Sequence, residues 1–376
     1  MAPASILKQE RLLPVAAATA GLFFFTEHSL LEMGQTAALI ASAALIAVIV
    51  LASTRVAHHA EVLARKVGDP YGTMILTLSA VAVEVLILAI MMRSESSSPT
   101  LVRDTIYAAV MLDINGILGL AALLGGLRHG EQSYNDDSSR TYSVMILTAM
   151  GISMVVPEFV PRDRWHLYSA FTIAAMMALY ALFLRMQVGT HSYFFSYSYP
   201  TTHRRAAANG VVRRADEEPK HDPAEESAAI SIGVILVGVI IIGVLAEFMS
   251  TLLNAGLEGT GAPPAMMAVV VATISAAPEI LTALRAALRN QMQAVVNIAL
   301  GASLSTVILT VPVMEAIALY TGQPFLMAMT PVQTVMVAIT LIAVAINLND
   351  GQTNAIEGMT HFVLFATFVM LTILGL

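Results

Sequence analysis

The stretch Leu78-Ser79-Ala80-Val81-Ala82-Val83-Glu84-Val85-Leu86-Ile87-Leu88-Ala89-Ile90 decides how this chain folds. A single acid stands inside an apolar run covering 71–92, long enough to cross a hydrocarbon core of ~30 Å as a helix. A second acid, Glu279, stands inside the run 263–288, in Thr273-Ile274-Ser275-Ala276-Ala277-Pro278-Glu279. An ionised carboxylate in hydrocarbon costs ~2.5–3.5 kcal/mol on insertion scales, so an acid at such a depth points to function. No Lys or Arg lies in the middle of any apolar run to neutralise either one.

Outward from these two, the 376 residues divide into eleven apolar runs: 12–26, 34–54, 71–92, 104–125, 141–157, 167–188, 229–253, 263–288, 292–319, 326–346 and 354–375. They predict an all-α integral membrane protein with about eleven transmembrane helices. Charged residues make up 12% and mean hydropathy is +0.75, against ~25% charged in soluble domains, which excludes an ordinary soluble enzyme. The net charge of −7, with Lys and Arg scattered between apolar blocks, excludes nucleic acid as a partner. Zero cysteines exclude disulfides, thiolate metal sites and thiol redox chemistry. The run 12–26 follows Lys8 and Arg11, but Phe23-Phe24-Phe25-Thr26-Glu27-His28 lacks the small residues of a signal-peptide cleavage site, so it reads as a retained helix.

Positive charge sets the orientation, because connections that stay in the cytoplasm keep Lys and Arg. Alternate connections hold fifteen of these residues against four, the four being Arg93, Arg103, Arg162 and Arg164. This places the N-terminus in the cytoplasm and, after an odd number of helices, the C-terminus outside, in the cytoplasmic membrane. The longest connection, 189–228, ends in Asp216, Glu217, Glu218, Asp222, Glu225 and Glu226. It is too polar to fold alone and reads as a solvated cytoplasmic linker, with a regulatory, cation-sensing strip as the functional alternative.

The two acid-bearing runs belong to a duplication. Glu61, Gly68, Pro70, Gly72 and Glu84 follow one another as do Glu247, Gly256, Gly261, Pro263 and Glu279. The third helix enters from the cytoplasm and the eighth from outside, so the copies are inverted. The expected units are an N-terminal helix with its connection (1–33), a first five-helix repeat (34–188, helices 2–6), the acidic linker (189–228) and a second five-helix repeat (229–376, helices 7–11). Inverted repeats meeting at midplane polar residues are the signature of secondary transporters.

Around Glu84 and Glu279 stand further oxygens. Pro278 has no N–H and frees the carbonyl of Ile274, and Ser275 lies one turn before Glu279. Asp113 and Asn115 lie deep in the fourth helix, and Asn297 and Ser303 in the ninth; Thr77 precedes Glu84 by two turns. The expected cation- and proton-binding set is Glu84, Glu279, Asp113, Ser275 and Ser303, with Glu61, Glu247, Asn115, Thr77 and Asn297 accessory. Carboxylates with hydroxyl and carbonyl oxygens suit a hard cation such as Ca2+. If the two glutamates approach within ~5 Å, their repulsion is ~3 kcal/mol at an effective dielectric of ~20. Either protons or a cation relieve it, and competition at one site with alternating access amounts to exchange.

These residues resemble the cation/proton exchanger branch of the Ca2+/cation antiporter superfamily, most closely its bacterial ChaA-type members. The resemblance rests on Arg55 to Ala64, Gly68-Asp69-Pro70-Tyr71-Gly72 and Glu84 in the first half. In the second it rests on Ser275 to Glu279, Arg289-Asn290-Gln291, Asn297, Gly301 and Thr310-Val311-Pro312. It implies eleven helices, an acidic connection between helices 6 and 7, and ion-binding glutamates at Glu84 and Glu279. The Gly-Asn-Ala-x-Glu pattern of the wider family is Ala80-Val81-Ala82-Val83-Glu84 and Ser275-Ala276-Ala277-Pro278-Glu279 here, so an amide ligand is missing twice. The expected function is Ca2+/H+ antiport, with Na+ or K+ for H+ as the alternative at the same site. An ion channel and an intramembrane enzyme stand further off, since the chain shows no selectivity loop, no His-Glu-x-x-His and no Gly-x-Ser-x-Gly. The expected partners are the transported ions and the lipid bilayer, with a homo-oligomer left open, and no cofactor is expected.

Overall fold

The computed structural model describes residues 11–67, 71–92, 98–188, 227–322 and 325–376. The six acids of the 189–228 connection lie outside them. Eleven helical spans follow one another among the described residues: α1 Leu12–Glu32, α2 Gln35–Val67, α3 Tyr71–Met92, α4 Leu101–His129, α5 Asp136–Phe159, α6 Trp165–Val188, α7 Ala228–Leu257, α8 Ala265–Leu288, α9 Met292–Thr321, α10 Pro331–Asn347 and α11 Ala355–Ile373. Eight of them, among the described residues, are long and apolar enough to cross a membrane; α3 and α10 carry shorter apolar stretches, Thr77–Met92 and Pro331–Asn347.

The helices run where the apolar blocks predict, with different ends. Residues after 54 in α2 turn polar, yet Ala, Glu, Leu, Arg and Lys are strong helix formers, and the helix continues to Val67. Segment 326–330 is not helical, and α10 starts at Pro331. There Thr330 and Gln333 form a capping box and proline occupies the first turn, where its missing N–H costs nothing.

At the centre stand α4 and α9, with 83% and 72% of their apolar windows buried, against 39% or less in the other six spans. Peripheral helices expose Phe24, Phe25, Leu236, Ile240 and Val363, an apolar surface of the kind that hydrocarbon covers. Glycines bring helices close. A Cβ on Gly358 of α11 would lie 2.2 Å from the backbone N of Leu123, and one on Gly126 of α4 2.3 Å from that of Ala355. Along α7, the side chains of Val56 and Leu39 of α2 lie against Gly238 and Gly256, 2.6 and 2.7 Å from where a Cβ would stand.

Three π-helical turns interrupt the spans, Leu112–Leu118 in α4, Gly151–Val155 in α5 and Thr306–Thr310 in α9. The turns in α5 and α9 precede Pro157 and Pro312. A proline ring collides with the carbonyl four residues earlier, and widening the preceding turn relieves that collision.

One end of the bundle is stitched together. Strand β1, Gln132–Ser133, from the α4–α5 connection pairs antiparallel with β2, Gln352–Thr353, from the α10–α11 connection. Gln132 Nε2 donates to Ala287 O and to Asn290 Oδ1, both at 3.0 Å, and Asn135 N donates to Gln293 Oε1 at 2.6 Å. Asn290 takes a left-handed backbone, φ 60°, in the turn between α8 and α9.

Candidate functional site

Both central π turns carry site residues. Glu84, on α3, is 4% exposed, and its Oε2 accepts hydrogen bonds from Thr306 Oγ1 and Thr310 Oγ1 of α9, each at 3.0 Å. Glu84 Oε1 has no hydrogen-bond partner among the described residues. Asp113 stands in the π turn of α4, 2% exposed, and Ser303 Oγ of α9 donates to its Oδ2 at 3.2 Å. Glu279 comes down α8, which packs along α4 and its π turn. The three carboxylates lie within electrostatic reach of one another.

Ser275 sits one turn from Glu279, and both Ser275 Oγ and Glu279 Oε2 are sealed from solvent with no hydrogen-bond partner among the described residues. Three oxygens, on the interacting acids Glu84 and Glu279 and on Ser275 one turn from Glu279, are therefore buried and idle among the described residues. Buried polar atoms are nearly always paired, so such a set calls for an occupant. Among the described residues, no three His, Asp or Glu side chains are placed to hold a metal ion together. The oxygens available to a hard cation are thus carboxylates interleaved with hydroxyls.

The accessory positions are spread more widely. Asn115 is buried but turns away from the acids: its Nδ2 donates to Thr340 Oγ1 of α10 at 2.7 Å, and its Oδ1 faces His361 Nδ1 of α11 at 2.9 Å. Asn297 Oδ1 accepts from Gln293 Nε2 at 2.9 Å, in the stitched end of the bundle. Glu247 is exposed on α7, near Glu27 of α1. Glu61 is half-buried toward the end of α2, and Thr77 half-buried two turns before Glu84.

The family model described as "Sodium/calcium exchanger protein" matches residues 37–189 and 230–374, two blocks flanking the long connection. The chain belongs to that family. It is 31% identical over 317 residues to the sodium-potassium/proton antiporter ChaA of Escherichia coli (strain K12), covering 84% of each chain. It is 30% identical over 344 residues to the putative ionic transporter y4hA of Sinorhizobium fredii, covering 89% of this chain and 88% of that one. Among solved structures, the Ca2+/H+ antiporter protein YfkE superposes with a TM-score of 0.74 at 18% identity, over 97% of this chain and 100% of that chain. The fold is therefore that of a multi-pass membrane exchanger.

Sequence reasoning did not place Thr306 and Thr310 in the site. Their spacing of four, just before Pro312, was the available signal, but hydroxyls in membrane helices commonly bond their own backbone. Only the packing of α3 against the π turn reveals that both face Glu84. Glu315, at 2% exposure, and the adjacent pair Arg103 and Asp104, at 8% and 6%, were missed as buried charges.

Proposed function

We propose that this chain exchanges a cation, Ca2+ in the first instance, for protons across the cytoplasmic membrane by alternating access. Glu84 and Glu279 take cation and protons in turn, Asp113, Ser303 and Ser275 supply further oxygens, and Thr306 and Thr310 hold Glu84 in place. The three idle oxygens, Glu84 Oε1, Glu279 Oε2 and Ser275 Oγ, carry this reading. A proton on one carboxylate or a cation between them satisfies these atoms, and each occupant excludes the other because both neutralise the same charge.

The proposed orientation has the N-terminus in the cytoplasm and the C-terminus outside, supported by the fifteen-to-four split of Lys and Arg. The proposed halves, 34–188 and 229–376, are inverted copies, a reading that rests on the repeated order of Glu61, Gly68, Pro70 and Glu84 in Glu247, Gly256, Pro263 and Glu279; 189–228 joins them as a cytoplasmic linker, and the family match falls on either side of it. Na+ or K+ for H+ is a second reading at the same site. It is favoured by the ChaA relative, named a sodium-potassium/proton antiporter, and by the amide absent beside both glutamates.

Everted vesicles holding a pH gradient test the proposal, with Ca2+, Na+ or K+ added in turn. The expected result is dissipation of the gradient on addition of the transported cation. Glu84→Gln and Glu279→Gln are each expected to abolish it at unchanged expression, whereas Asp113→Asn and Glu61→Gln leave residual exchange. Normal transport by either glutamine variant would overturn the assignment.

A further inference from the structure

Glu315, in α9, is a further deeply buried acid, away from the three at the centre, and exchange at Glu84 and Glu279 does not use it. It is 2% exposed and lies two turns before the helix end at Thr321. A carboxylate buried in a spanning helix is a functional candidate by default, and among the described residues no Lys or Arg pairs with this one. Its surroundings are hydroxyls from α6: Thr172 Oγ1 at 2.5 Å, and Ser169, whose hydroxyl also reaches it. Tyr168, one turn nearer the start of α6, is close enough to feel its charge and is half-buried. The other helix packed on this end of α9 is α3, whose one acid, Glu84, is engaged by Thr306 and Thr310.

Thr172 Oγ1 has one hydrogen and two acceptors in range, Glu315 Oε2 at 2.5 Å and Ser169 O at 2.9 Å. When Glu315 carries a proton, it donates to Thr172, which donates in turn to Ser169 O. When Glu315 is ionised, Thr172 swings its hydrogen to the carboxylate and no heavy atom moves. The pair is therefore built to hold a proton or to be without one. Beside it, between α6 and α9, lies a groove of about 460 Å³ lined by Ile173, Met177, Pro312, Val313 and Ile317. That wall is apolar, whereas the α6 side carries the hydroxyls of Thr172 and Ser169 and, one turn further on, Tyr168, whose own hydroxyl donates to Ile152 O at 2.5 Å.

We infer that Glu315 with Thr172 forms a second proton-binding site, on the outer half of α9, that takes up a proton from outside water and hands it toward Glu84. An O–H bond forms at the Glu315 carboxylate as water gives up the proton. It breaks when the proton passes on through the turn 306–310, against which both α3 and α6 pack and where Thr310 already donates to Glu84. The inference rests on the proposed orientation and on exchange at Glu84.

The test uses the full chain in proteoliposomes and two modes of transport. One is Ca2+ uptake driven by a proton gradient; the other is exchange of radiolabelled Ca2+ for unlabelled Ca2+, which moves no protons. Should the wild-type chain carry only monovalent ions, radiolabelled Na+ replaces Ca2+ in both. Glu315→Gln is expected to slow the proton-driven mode about tenfold, most severely when the outer medium is alkaline and protons are scarce. Self-exchange stays at the wild-type rate, Thr172→Val behaves likewise, and Thr172→Ser restores transport. Equal loss of both modes in Glu315→Gln would mean a structural role, and no loss of either would mean an idle acid; each outcome overturns the inference. Glu84→Gln, run alongside, is expected to lose both modes, so failure of the central site is read separately.

Discussion

At the scale of single residues, the two oxygens of Glu84 are unlike. Oε2 receives two hydroxyls and Oε1 receives none, so one oxygen anchors the side chain while the other is left for what is transported. A hydrogen bond to a charged group contributes about 1.5–3 kcal/mol. Thr310→Val is therefore expected to weaken cation affinity about tenfold, with Thr310→Ser near wild type. The measurement is the cation concentration that half-dissipates a pH gradient in vesicles; unchanged affinity in the valine variant would show that the anchor does not matter. The chain reveals Glu84 and Glu279 directly, because an acid in an apolar run has few innocent explanations. Glu315 escaped notice because it stands near the end of a run, where a carboxylate normally reaches water. Here α9 runs on to Thr321 and α6 lies over the carboxylate, so that the hydroxyls of Thr172 and Ser169 are its immediate neighbours.

Between elements, a second concealed charge does structural work. Arg103 and Asp104 open α4 where the apolar run was expected to start only at 104, and both are covered by the segment that leads into α10. Arg103 Nη2 and Asp104 Oδ1 pair at 2.8 Å, Arg103 Nη1 donates to Ala328 O at 3.0 Å, and Gln333 Nε2 donates to Asp104 Oδ1 at 2.9 Å. Removing one partner of a buried pair strands the other, which typically costs roughly 3–5 kcal/mol, whereas replacing both by apolar groups can be neutral. Asp104→Ala is expected to lower the unfolding temperature in detergent markedly and Arg103→Met with Asp104→Met to lower it much less; equal loss in both would contradict a mutual dependence. Helix positions were legible because about twenty apolar residues suffice to span a bilayer. Helix ends were not, since hydropathy records contact with lipid rather than backbone hydrogen bonding, and α2 continues for three turns after its apolar run stops. The π turns had only Pro157 and Pro312 to announce them, and the one in α4 had no proline at all.

For the molecule as a whole, the absence of cysteine makes orientation measurable against a clean background. Glu131→Cys and Asp163→Cys place single thiols at exposed positions on opposite ends of the bundle. A thiol reagent that cannot cross membranes is expected to label Asp163→Cys in intact cells and Glu131→Cys only in everted vesicles; the reverse pattern would invert the proposed topology. The last helix of each half is also tied to the middle helix of the opposite half by a buried polar contact, Thr172 to Glu315 in one case and His361 to Asn115 in the other. The tie joins α6 to α9 and α11 to α4, so each half is fastened to the other.

The short ladder between Gln132–Ser133 and Gln352–Thr353, with α2 lying along α7, has a consequence for the covalent chain. Each half is gripped by its sister through contacts that owe nothing to peptide continuity between them. Two polypeptides, 1–200 and 215–376, made together in one cell should find each other, co-purify and restore ion exchange, while neither alone does so. Persistent separation of the fragments would mean that the join itself, rather than the seam, keeps the assembly whole.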